Sequence, residues 1–163
     1  MDRQDDSPDS IDSTEASWIG WFCSLPGHDY YLQVPKEFIA DNFNIYDLST
    51  TVPYYRQSLD MLLDSEDFSF TETIDPRIID PCTAMLYGMI HQRYLLTEGG
   101  LNAMAERYNR GAFGMCPRYY CSQCYVVPVG RFDEVKKESV RLYCPSCLDI
   151  YIPSLSLYKR VDG

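Results

Sequence analysis

The chain has 163 residues, 45% hydrophobic and 23% charged, which fits one globular domain or a domain with a small added module and excludes a collagen, a coiled coil or a wholly disordered chain. No apolar run approaches the roughly 20 residues that a membrane helix requires, so no membrane partner is expected. The formal charge of −10 divides into −5 over residues 1–15, −7 over 16–115 and +2 over 116–163, and so acidic a body disfavours nucleic acid as a partner.

Residues 1–16 are rich in Asp and Ser and nearly empty of apolar side chains. They are expected to form a disordered acidic tail, and they lack the apolar stretch of a signal peptide. Ser17 is a helix N-cap for the aromatic run Trp18 to Phe22, which Pro26-Gly27 ends. Pro35 suits the first turn of a second helix, with Phe38, Ile39 and Phe43 on one face. Pro53 precedes a third, in which Tyr55, Leu59, Leu62 and Leu63 recur at helical spacing. Asp64 to Ile79 reads as a loop. Three of its acids, with one before it, form the set Asp60, Asp64, Glu66 and Asp67, either an acidic loop that attracts polyamines or basic protein substrates or a plain solvated surface. Pro81 is expected to open the longest helix, carrying Met85, Leu86, Met89, Ile90 and Tyr94, and Thr97-Glu98-Gly99-Gly100 to break it. Leu101, Met104, Ala105 and Tyr108 mark a fifth helix that Gly111 ends.

Beyond Gly111–Met115 the character changes. Val126, Val127, Val129 and then Val140, Leu142, Tyr143 are short β-favouring runs, punctuated by Pro128, Gly130 and Pro153. The expected fold class is therefore α+β: a helical domain over 17–113 followed by a small antiparallel ribbon over 114–163.

Five of the seven cysteines fall in this ribbon. With no secretory signal, such density points to a metal site rather than disulfides. Zn²⁺ takes four tetrahedral thiolates, and two close cysteine pairs separated by roughly 15–20 residues supply them. Cys144 and Cys147 make one pair. For the other, Cys121 and Cys124 leave nineteen intervening residues and Cys116 and Cys121 leave twenty-two, so spacing favours Cys121/Cys124 without excluding the alternative. Four thiolates leave no open coordination position, so the expected zinc is structural and not catalytic. Its two negative charges in excess cancel the ribbon's +2, which further disfavours nucleic acid.

No glycine-rich phosphate loop is present, and no Cys/His pair has the context of a nucleophile and base. His91 is expected to be a structural histidine, and Cys23 and Cys82 core residues.

Several phrases together resemble the casein kinase II regulatory (beta) subunit family: Ser17-Trp-Ile-Gly-Trp-Phe-Cys23, Val52-Pro-Tyr-Tyr-Arg-Gln-Ser-Leu-Asp-Met-Leu-Leu-Asp64, Met85-Leu-Tyr-Gly-Met-Ile-His-Gln-Arg-Tyr94, Gly114-Met-Cys-Pro-Arg-Tyr-Tyr-Cys121 and Arg141-Leu-Tyr-Cys-Pro-Ser-Cys147. The resemblance runs from about Ser17 to Gly163. It implies a non-catalytic subunit of the cytoplasm and nucleus that dimerises through a zinc ribbon, bridges two kinase catalytic subunits and alters their stability and substrate choice. It implies one structural Zn²⁺ per chain held by Cys116, Cys121, Cys144 and Cys147, leaving Cys124 spare and reversing the preference from spacing.

The departures matter too. The family's chain continues past the position of Gly163 and makes its main catalytic-subunit contact there, so this chain as given is expected to bind that subunit weakly or not at all. The acidic loop here is shorter. Ser7, Ser10 and Ser13 lack the close glutamates of the family's N-terminal autophosphorylation site. At the family's dimer face, Pro117 and Ile150 keep an apolar character, Tyr119 is bulkier, and Arg131 replaces an apolar residue, a cost if it is buried without a partner.

Overall fold

The first helix, α1 (Trp18–Ser24), begins where the sequence supplies its cap: the Ser17 hydroxyl accepts a hydrogen bond from the Gly20 N–H at 3.0 Å. Such a cap contributes about 1 kcal/mol. In this computed structural model the described residues are 17–65, 74–155, 158 and 161–163. The expected acidic tail, together with Glu66 and Asp67, lies outside them.

Helix α2 (Lys36–Ala40) follows Pro35, and α3 (Tyr55–Leu62) follows Pro53. Ile39 and Leu62 are fully buried, as their spacing predicts. Phe43 is a correction: it falls beyond α2 and is 85% exposed.

Helix α4 spans Pro76–Leu95, so it starts a turn and a half before the expected Pro81. Asp75 is the cause. Its carboxylate accepts from the Arg77 N–H at 2.9 Å, and Pro76 occupies the first turn, where no N–H is needed. Pro81 then sits inside the helix and forfeits one backbone bond, to the carbonyl of the exposed residue Arg77. The Gly pair does not break the chain either. The break falls at Leu96–Thr97, and Gly99 and Gly100 lie within α5 (Glu98–Asn109). Thr97 caps α5 by accepting from the Gly100 N–H at 3.1 Å. A Cβ on Gly100 would sit 2.0 Å from the Tyr94 carbonyl oxygen, so the tight turn between the two helices requires glycine there.

The ribbon is a three-stranded antiparallel sheet, β1 (Val127–Val129), β2 (Arg141–Cys144) and β3 (Asp149–Tyr151), in the order β1-β2-β3. The first two follow the β-favouring runs. The third, with only Ile150 as a β-branched residue, is fixed by pairing: Cys144 stands opposite Asp149 and Leu142 opposite Tyr151.

The main core joins α1, α3 and α4, with Leu86, Tyr87 and Ile90 wholly enclosed. An irregular stretch, residues 29–34, runs through it. Buried backbone outside a helix or sheet must find other hydrogen-bond partners, and side chains of α4 and α5 provide them. The Tyr87 hydroxyl donates to the Leu32 carbonyl and accepts from the Val34 N–H at 3.2 Å. His91 Nε2 accepts from the Leu32 N–H at 2.9 Å. Arg107 donates to the carbonyls of Asp29 and Tyr31 at 3.0 and 2.8 Å. A second cluster, Tyr30, Phe113, Val140 and Val161, is shared by the helical part and the ribbon. Tyr158 stacks on Tyr30 with ring centroids 4.3 Å apart, and its hydroxyl donates to Asp29 at 2.5 Å. No helix among the described residues is long and apolar enough to cross a membrane.

Candidate metal centre

The sulfurs of Cys116, Cys121, Cys144 and Cys147 all lie within 4.8 Å of one another. Cys116 and Cys147 are 3.7 Å apart, and Cys121 and Cys144 are 3.9 Å apart. A tetrahedron with Zn–S bonds of about 2.3 Å has S···S edges of about 3.8 Å. The donor set fits a metal ion that prefers four thiolates, and all seven cysteines are free.

Local folding explains why these four converge. The N–H of Cys116 donates to the carbonyl of Cys124 at 2.8 Å, and that of Val126 to Gly114 at 3.1 Å, closing residues 114–126 into a narrow loop. Within it the Cys121 N–H donates to the Arg118 carbonyl at 3.1 Å. On the opposite side Cys144 ends β2 and Leu148, with φ of 56°, turns the chain into β3. That turn aims the Cys147 N–H at the Cys144 sulfur, 3.4 Å away. Burial pushes the Cys144 thiol up, but the Cys147 amide, the Cys116 side chain and the Ser146 amide outweigh it and hold its pKa below the usual thiol value.

Cys124, which spacing favoured, stands outside the group of four. Its sulfur is directed to the Tyr125 carbonyl at 3.4 Å, and its own carbonyl carries the loop-closing bond. Spacing misleads because it counts residues and not the path of the 116–126 loop.

Of the residues expected at a dimer face, Pro117, Tyr119 and Arg131 are exposed and Ile150 is half-buried. Tyr119 is 91% exposed and its neighbour Tyr120 92%. Arg131 is neither buried nor unpaired. Its guanidinium binds both carboxylate oxygens of Glu138, with Nε to Oε2 at 2.6 Å, and Arg141 reaches the same Glu138 at 2.8 Å. Hydrogen bonds from these two arginines hold the Glu138 carboxyl down at about 2. Within the single chain Arg131 thus has a carboxylate partner at the face where a second copy is expected from the sequence.

In the acidic set, Asp60 is half-buried and Asp64 exposed. Asp64 has structural work that sequence reasoning missed: it accepts from the Trp18 N–H at 3.0 Å and pairs with Lys36 at 2.7 Å, tying α1 and α2 to the end of α3. Cys23 and Cys82 are half-buried against the main core. Burial, with a smaller contribution from Arg107, pushes the buried His91 imidazole down to about 4, so it is neutral and serves as an acceptor.

A cleft of about 790 Å³ separates the helical part from the ribbon. Several of its ionisable lining residues are already engaged: His91 by Leu32, Asp162 by the Lys136 N–H, Lys137 by Glu134 and Glu138 by the two arginines. Among the described residues it presents no nucleophile beside a base.

The sequence profile of the casein kinase II regulatory subunit family matches residues 17–163. The casein kinase II subunit beta-2 of Schizosaccharomyces pombe is 46% identical over 159 residues, covering 98% of this chain and 63% of the relative. The casein kinase II subunit beta of Saccharomyces cerevisiae is 39% identical, covering 99% and 69%. The subunit beta' of Drosophila melanogaster is 40% identical, covering 93% and 69%. The chain thus spans just under two thirds of the length of the fission-yeast relative.

Proposed function

Since the chain belongs to the casein kinase II regulatory subunit family, we propose that it is a non-catalytic partner of the kinase catalytic subunit, with one structural Zn²⁺ per chain at Cys116, Cys121, Cys144 and Cys147 and with two copies pairing through the ribbon. The observation that carries this reading is the set of four sulfurs at tetrahedral spacing within a family-matched ribbon. A closed thiolate site adds folding free energy and no reactivity. The exposed aromatic pair on the loop between Cys116 and Cys121 supports pairing, because exposed aromatic surface favours contact with a second chain. Joining two catalytic subunits on one dimer raises their effective concentration and gives substrates a common docking surface. The acids Asp60, Asp64, Glu66 and Asp67 are the proposed docking site for basic protein substrates or polyamines. The cytoplasm and nucleus are the compartments proposed.

The test combines three measurements on purified protein. Metal analysis is expected to give one zinc per chain, and sedimentation at micromolar concentration a dimer. Mixing the full-length natural product with a casein kinase II catalytic subunit is expected to give a co-sedimenting complex and a changed ratio of activities on acidic and basic peptides, whereas residues 17–163 alone are expected to bind weakly or not at all. A metal-free folded ribbon or a persistent monomer overturns the scaffold. Independent sedimentation of the full-length product with unchanged kinase activity overturns the kinase partnership and leaves a zinc-held dimer.

A further inference from the structure

The hydroxyl of Tyr151 is completely enclosed and makes no hydrogen bond of good geometry with any described residue. Its ring packs against the small cluster of Cys116, Val126 and Cys144, and Cys147 packs against the same cluster. An enclosed hydroxyl without a partner costs about 1–3 kcal/mol, which a ribbon this small has little core to offset. Something must satisfy it. Neutral thiols are poor acceptors, whereas a metal-bound thiolate is a strong one.

A second group leans on the same ring. The Arg118 guanidinium stands 5.8 Å above the centroid of Tyr151 and reaches Asp149 at 3.4 Å. Arg118 comes from the loop between Cys116 and Cys121, and Tyr151 and Asp149 from β3, which follows Cys147. The two residues therefore join the halves of the cysteine cluster from outside. Four thiolates around a divalent ion carry two negative charges in excess, and a hydrogen-bond donor and a fixed cation both reduce the electrostatic cost of gathering them.

We propose that Tyr151 and Arg118 form an outer layer of the metal centre: the Tyr151 hydroxyl donates to the thiolate of Cys147 or Cys116, and Arg118 holds the ring in place and supplies a compensating positive charge. Both are positioning residues. The inference rests on the metal reading of the four cysteines. It explains why an aromatic residue with a hydroxyl, rather than Phe, fills the floor of the cluster.

The experiment uses the full chain loaded with Zn²⁺, and separately with Co²⁺, in wild-type, Tyr151→Phe and Arg118→Gln forms. Transfer of zinc to an excess of a chromophoric chelator is followed in time, and the thiolate-to-cobalt charge-transfer band is recorded. Loss of an outer-layer partner of a metal ligand typically weakens metal binding about 10- to 100-fold. Tyr151→Phe is expected to release zinc faster by a factor in that range, because the thiolate left without its hydrogen bond is uncompensated and more readily protonated, and to shift the cobalt band, because the charge on the sulfur has changed. Arg118→Gln is expected to release zinc faster by a smaller factor. A purely structural role for Tyr151 leaves the band where it is, so release at the wild-type rate or an unshifted band in Tyr151→Phe overturns the proposal. Should Tyr151→Phe not fold, Arg118→Gln decides alone, and wild-type release from it overturns the proposal. Wild-type chain that binds no metal instead sinks the metal reading itself, which keeps the two failures apart.

Discussion

The helical part and the ribbon are ordered by different materials. In the helical part Ile39, Leu62, Leu86, Tyr87 and Ile90 are fully buried in one continuous cluster. In the ribbon the corresponding cluster is Cys116, Val126 and Cys144, with Cys121, Cys124 and Cys147 packed at its edge. One region is held by hydrocarbon, which needs nothing from outside the chain. The other is held by sulfur, which orders the chain only when something draws the sulfurs together. The same polypeptide should therefore respond in two separable ways to two kinds of insult, and the two tryptophans, both in α1, report on the helical part alone.

The largest effect tests the ribbon. Structural zinc sites contribute apparent binding free energies of about 10–16 kcal/mol, so Cys144→Ser or chelation is expected to unfold the sheet. Cys124→Ser should leave one metal per chain. Metal analysis with limited proteolysis of residues 114–163 checks both, and loss of metal from Cys124→Ser with retention in Cys116→Ser reverses the assignment.

Next comes the hydrocarbon side. Leu86→Ala removes a wholly buried side chain and is expected to cost about 2–5 kcal/mol. Urea unfolding followed by tryptophan fluorescence should show the loss while metal content stays unchanged. A matching loss of metal would mean that the two regions are not separable.

The third effect depends on pH. His91 is held neutral, its pKa down at about 4 against about 6.5 in an unfolded chain. The unfolded chain thus binds the proton more readily between these values. The contribution is fully present above pH 6.5 and is lost as pH falls toward 4, by at most about 3 kcal/mol. Urea midpoints from tryptophan fluorescence at pH 7 and pH 5 should fall with pH, and His91→Gln, whose amide oxygen can still accept from Leu32, should flatten that slope. An equal slope in the variant removes His91 as the cause.

The smallest effect concerns the exposed clamp. Arg131→Val dissolves a surface ion pair and is expected to cost less than about 1 kcal/mol of ribbon stability. The midpoint of ribbon unfolding by far-UV circular dichroism is the measure, and a loss of several kcal/mol would make the clamp a structural element in its own right.

The legibility of the sequence differed between the two regions for the same physical reason. Periodicity reveals burial, so Leu62, Leu86 and Ile90 could be placed in the core before any coordinates. Proline and glycine were less informative than their reputation. Pro81 is inside α4 because Asp75 and Pro76 begin the helix earlier, and Gly100 is inside α5 because the Tyr94 carbonyl leaves no room for a Cβ. In the ribbon, the cysteine pattern announced a metal site, but spacing alone preferred Cys124. Only the backbone bond from Cys116 to Cys124 shows why that sulfur is left out. Tyr151, Asp64 and Glu138 act through neighbours distant in sequence or through a local clamp, and no pattern of residue types announces such partners.

The stretch from Asp29 to Val34 has one consequence for how the molecule transmits a disturbance. Tyr30 is gripped by the cluster it shares with Val140 and Val161, and two residues on, Leu32 is pinned at both its N–H and its carbonyl by α4. This strut has one end in each region. A load placed on the ribbon, whether by a change at its four cysteines or by the docking of another chain, would pull on Tyr30 and be delivered to the His91–Leu32 bond. The amide of Leu32 is the place to listen for it: its hydrogen exchange should quicken when the ribbon is strained, while amides in the middle of α4 keep their pace.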